Sequence, residues 1–82
     1  MNRLPLELLN PGEEARISDL EGGMETTTRL REMGLREGAQ VRMLRAGTTC
    51  IIALGHQRVS FRGEDAASVF VEPINGSGNG SE

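Results

Sequence analysis

The side chains able to do chemistry are few in this chain of 82 residues: one histidine, His56, one cysteine, Cys50, no lysine, and an acidic pair, Glu64-Asp65. Acid–base or nucleophilic catalysis needs a nucleophile beside a base held by a third group. A single His and a single Cys, six positions apart within a β-rich stretch, offer no such set, and the chain reads as not an enzyme. Metal chemistry fares little better. One cysteine cannot build a thiolate zinc site, and His56 has no second histidine to join it. Glu64 and Asp65 could offer oxygen ligands to a hard cation. Two carboxylates opening a helical turn suit the helix dipole at least as well. His56, Glu64 and Asp65 are therefore the weak candidates for a metal, and no metal or cofactor is expected. The methionines Met24, Met33 and Met43 carry thioethers, which could ligate only soft metals. Their flexible side chains instead suit core filling or an adaptable protein-binding surface.

Composition narrows the partner. Nine arginines stand against 12 Asp and Glu, for a net charge of −3, and Trp and Tyr are absent. An acidic chain without stacking aromatics lacks the footprint of a nucleic-acid binder. No apolar run approaches a membrane span, and no secretory h-region opens the chain. A lone Cys50 in a strand pattern agrees with a reducing compartment. These features point to a cytoplasmic protein without direct membrane insertion, most simply a monomer. The glycines form no phosphate loop: Gly22-Gly23 lacks a following Gly-Lys-Ser/Thr.

The elements that must position these residues are short. Glu14 to Leu20 alternates, with Ala15 and Ile17 on one face, as a half-buried strand does. Met24 to Met33 is the helix candidate, with Leu30 and Met33 on one face, Arg29, Arg31 and Glu32 outward, and Glu25 placed four residues before Arg29 for an ion pair. Gly34 stands where a left-handed C′ residue ends a helix. Ala39 to Arg45 alternates again around Val41 and Met43. Cys50 to Leu54 and Gln57 to Arg62 flank Gly55-His56, a type II′ hairpin signal. Gly63 to Ala67 makes a short helical turn, and Val69 to Val71 a last strand stopped by Pro73. About five strands and one or two helices predict a mostly β fold, a small SH3-like β-barrel with a short helical insertion after the first strand, spanning residues 1–74. Asn75 to Glu82 carries no apolar side chain and reads as a disordered tail.

Arg29-Leu30-Arg31-Glu32-Met33-Gly34-Leu35-Arg36-Glu37-Gly38-Ala39-Gln40-Val41 resembles the FeoA signature R-L-x-x-M-G-L-x-x-G-x-x-V. Pro11-Gly12-Glu13, Ala15-x-Ile17, Arg58 to Arg62 and Asp65-Ala66 resemble the flanking parts of that family. In place of a G-x-P-type segment before the third strand stands Ala46-Gly47-Thr48-Thr49-Cys50, without the proline. The resemblance implies an SH3-like barrel and an accessory role in ferrous iron uptake, bound to the cytosolic GTP-binding domain of a membrane ferrous iron permease. The surface expected to bind that partner is Met24, Arg29, Leu30, Arg31, Met33, Leu35 and Arg62. The alternative is a regulatory domain related to the C-terminal domain of metal-dependent transcriptional repressors, binding metal or an intramolecular peptide.

Overall fold

A computed structural model describes residues 3–74; the expected tail, 75–82, lies outside the described residues. Six strands form one antiparallel sheet: β1 (Leu4–Pro5), β2 (Glu14–Leu20), β3 (Gln40–Arg45), β4 (Thr49–Leu54), β5 (Gln57–Arg62) and β6 (Val69–Pro73). Their spatial order is β1-β6-β2-β3-β4-β5. Two helices interrupt the strands, α1 (Met24–Glu32) and the single turn α2 (Gly63–Ala66), and a 3-10 turn covers Leu6–Leu8. The mostly β class holds, and so does the helix after the first long strand. Closure does not: β1 and β5 are edges, and among the described residues no ladder joins them. Alternation in a strand specifies which face is buried but not which strand lies beside it, so a closed barrel could not be told from an open sheet by counting strands.

Alternation builds the core. Ala15 and Ile17 of β2, Val41 and Met43 of β3, Cys50 and Ile52 of β4, Val59 and Phe61 of β5, and Val69 and Val71 of β6 all point inward and are buried. Each fully buried aliphatic side chain contributes about 1.5–3 kcal/mol. Leu6 and Leu9 of the N-terminal segment join this cluster. β1 is held against β6 by Leu4↔Val71 and Pro5↔Phe70. Just before it, Arg3 stacks 4.2 Å from the Phe70 ring centroid and pairs with Asp19 and Glu21 at 2.7 and 2.6 Å.

α1 is too short and too polar to stand alone. Gly23 opens it without a side-chain cap. Its end is fully specified. The Leu35 amide donates to the Leu30 carbonyl and the Gly34 amide to that of Arg31, at 3.0 and 2.9 Å. This is the paired bonding of a Schellman motif, with Gly34 as the left-handed residue at φ 104°. The motif brings Leu30 and Leu35 together as its apolar clasp, and both are wholly buried. In the β4–β5 turn Gly55 alone has positive φ, and Leu54 faces Gln57, the signature of the type II′ loop.

Candidate functional site

Three shallow depressions adjoin one another along α1, α2 and the end of β5. The first, of about 500 Å³, is lined by Met24, Glu25, Thr28, Arg29 and Glu32. Arg29 also lines the second, of about 370 Å³, with Arg62, Glu64 and Asp65. Arg62 and Glu64 continue into a third with Thr48, Thr49 and Gly63. The strip thus runs from Met24, which is 84% exposed, across two arginines and four carboxylates to the β3–β4 loop.

Tertiary contacts set its geometry. The Arg29 guanidinium reaches Asp65 at 3.3 Å, and Asp65 is the sheltered partner, with its side chain 16% exposed against 50%. Arg29 therefore turns to α2 instead of the expected helical pairing with Glu25. Arg62 meets Glu64 at 3.3 Å with both side chains largely in solvent, a pair worth little. Glu64 and Asp65 do stand in the first turn of α2, but no side chain caps that helix; the arginines bind these carboxylates. Gly63 allows the close approach of α2 to the β3–β4 loop. Its amide donates to the Thr48 carbonyl at 2.8 Å, and a Cβ there would lie 2.5 Å from the Gly47 carbonyl oxygen.

The other expected site residues fall in different places. Arg31 is exposed and reaches Glu37 at 3.5 Å. Met33 is half-buried against the core. Leu30 and Leu35 are wholly buried; they fix the helix from below and present nothing to a partner. His56 occupies the β4–β5 turn, at the far end of β5 from Glu64 and Asp65, a strand length of about 20 Å away. The three weak metal candidates therefore do not converge. Among the described residues no three His, Cys, Asp or Glu side chains gather to hold a metal ion.

Cys50 lies in the core with its sulfur 3.7 Å from that of Met43. Burial pushes its thiol pKa up, and the negative charge of Glu7 adds to the effect. It is a packed thiol, not a nucleophile.

A larger depression, of about 780 Å³, was not anticipated. It lies toward the β4–β5 turn on the outer face of β3 and β4, where Arg42 and Arg58 stand around Leu44 and Ala53. Its signal was available in the outward positions of the alternating strands, since Arg42 and Arg58 are outward by period and Ala53 faces Arg58 across the ladder. Arg42 itself is tied to Glu14 of β2.

Fold and surface together define a small, mostly β domain with two short helices, consistent with the SH3-like class. The FeoA domain model matches residues 4–73, and the chain belongs to the FeoA domain family. It is similar to the crystal structure of an iron uptake regulatory protein (FeoA), with a TM-score of 0.83 and 27% identity over 90% of this chain and 100% of that one. It is also similar to the iron(II) transport protein A of Clostridium thermocellum, with a TM-score of 0.80 and 26% identity over 89% of this chain and 47% of that one. A manganese-dependent transcriptional repressor shares the fold, with a TM-score of 0.82 but 12% identity, and this chain spans 42% of its length. No curated relative matches significantly in sequence. Among the described residues no helix is long and apolar enough to cross a membrane.

Proposed function

We propose that this chain is a cytoplasmic accessory of ferrous iron uptake that works by docking onto the cytosolic GTP-binding domain of a ferrous iron permease, without chemistry of its own. The observation that carries this reading is the strip on α1 and α2. It places an exposed apolar side chain, Met24, beside charges of both signs, Arg29 and Arg62 with Glu25, Glu32, Glu64 and Asp65, while Arg31 stands exposed on the same helix outside the depressions. An adaptable apolar contact ringed by charge is the usual layout of a protein-binding patch. Family membership supplies the iron-uptake context. The repressor-domain reading has weaker support, because the likeness at 12% identity speaks to fold alone.

The test is a titration of the labelled chain with the permease GTP-binding domain, nucleotide-free and loaded with GDP or a GTP analogue. Binding is expected, with amide shifts on α1 and α2. The double change Arg29→Glu with Arg31→Glu, and separately Met24→Ala, should each weaken it by roughly tenfold. Amide spectra confirm that each variant is folded. Unchanged affinity in both variants refutes the docking face, and no binding in any nucleotide state refutes the partner.

A further inference from the structure

The two edges of the sheet are built differently. β1 is two residues long and ends in Pro5, which blunts that side against further pairing. β5 is six residues long and, among the described residues, pairs only with β4. Leu54 and Gln57 close a two-residue turn, so they form a hydrogen-bonded pair, and the ladder alternates from there. Ile52↔Val59 and Cys50↔Phe61 are the next such pairs in the register. The amides and carbonyls of Gln57, Val59 and Phe61 therefore face β4. Those of Arg58, Ser60 and Arg62 face away from the β4 ladder; the Arg62 carbonyl, at the N-cap of α2, takes the first bond of that helix, which leaves both backbone groups of Arg58 and Ser60 and the amide of Arg62 for a further strand. All three side chains are exposed. Arg58 has no ion-pair partner among the described residues, and Arg62 has only the solvated contact with Glu64.

We infer that the outer edge of β5 receives an extended acidic segment of another protein as a seventh, antiparallel strand, with carboxylates opposite Arg58 and Arg62. Residues directly opposite in an antiparallel pair share a face, and opposite charges there are favourable. A partner strand with acidic residues four apart and a small polar residue midway matches Arg58, Ser60 and Arg62 in turn. The same arrangement disfavours a second copy of this chain. Two β5 strands paired in the register that uses all three outward positions centre on Ser60 and set Arg58 against Arg62, like charges face to face. Charge thus selects against self-association while leaving the backbone groups available for strand addition. The inference does not depend on the α1–α2 docking face, with which it shares only Arg62.

The probe is the peptide acetyl-Thr-Glu-Val-Thr-Val-Glu-Thr-amide, titrated into the labelled chain. Saturable amide shifts centred on Arg58, Ser60 and Arg62 are expected. A peptide with Lys in place of both Glu, and one N-methylated at the central Thr, should each bind roughly tenfold more weakly or worse. The Arg58→Glu with Arg62→Glu variant should reverse the preference and take the Lys peptide. Equal binding of the N-methylated peptide would reduce the effect to plain charge attraction and overturn strand addition. Shifts centred on α1, no saturation at millimolar peptide, or a dimer through β5 in sedimentation would each overturn it as well.

Discussion

Replacing Gly63 by alanine sets two effects against each other. In favour of alanine is helix propensity, up to about 1 kcal/mol in a helix interior and less at the first position of a single turn. Against it is space. The new Cβ would sit 2.5 Å from the Gly47 carbonyl oxygen, a backbone atom, and 3.5 Å from that of Thr48. Real Cβ contacts essentially never fall below 3.0 Å, so α2 and the β3–β4 loop must separate by about half an ångström or more. That displacement stretches the Gly63 amide bond to Thr48, now 2.8 Å, at a cost of about 1 kcal/mol, and overpacking of a fitted site adds roughly 1–3 kcal/mol. Steric cost wins, and Gly63→Ala should destabilise by about 1–3 kcal/mol net. For a domain of this size that lowers the melting temperature by about 4–8 °C per kcal/mol. Urea unfolding with an unchanged slope is the assay. Gly23→Ala is the steric comparison, since a Cβ there meets nothing within 4 Å; as the N-cap of α1 it should lose only the preference of that position for Gly over Ala, about 1 kcal/mol or less. A Gly63→Ala variant as stable as the parent would refute the reasoning, because the loop would then be yielding where the packing makes it firm.

Gly34→Ala meets a positive φ of 104° and a Leu54 methyl at 2.9 Å; a loss of about 1–3 kcal/mol is expected in the same unfolding assay. Leu30→Ala removes one arm of the clasp that ends α1 and should cost about 2–5 kcal/mol, whereas Met24→Ala, at an exposed position, should stay within about 0.5 kcal/mol. Burial raises the folded-state pKa of Cys50 above that of a free thiol. The unfolded chain therefore loses its thiol proton first. The stability this contributes is fully present below the unfolded pKa and falls away as pH rises through the folded one, so Cys50→Ala should show a shallower alkaline loss of stability than the parent. Iodoacetamide should label native Cys50 only at the rate set by opening of the core, measured against the free thiol in urea.

What could be read from the chain was whatever a few neighbouring residues settle among themselves. Gly55-His56 between β-rich runs fixes a two-residue turn, and Gly34 after Met33 fixes a helix end. Val59 and Phe61 alternate with Arg58, Ser60 and Arg62, and that alone sorts the faces of β5. Long-range features were beyond such signals. β1 is two residues whose place depends on β6, more than sixty positions away. Register shifts between Ile17 and Asp19 and between Met43 and Arg45 interrupt alternation without leaving a mark in the period. Arg29 had a well-placed local partner in Glu25, yet it pairs with Asp65, because α2 comes to rest beside α1 and a more sheltered carboxylate binds a cation better than an exposed one.

Most of the block that identifies the family is likewise settled by folding. Within the block from Arg29 to Val41, Leu30, Gly34, Leu35 and Val41 are each accounted for by folding: two arms of a clasp, the left-handed residue between them, and a core position of β3. None of the three with side chains is exposed. Met24, Arg58 and Arg62 stand outside that block and have little packing to lose. Exchanging them changes the surface at small cost to stability. Exchanges at Met24, Arg58 and Arg62 therefore alter the surface without touching the signature block, whereas Arg29 belongs to both the block and the α1–α2 strip. Charge reversal at Arg58 and Arg62 separates surface from fold: binding of an acidic strand should be lost while the unfolding midpoint stays close to that of the parent.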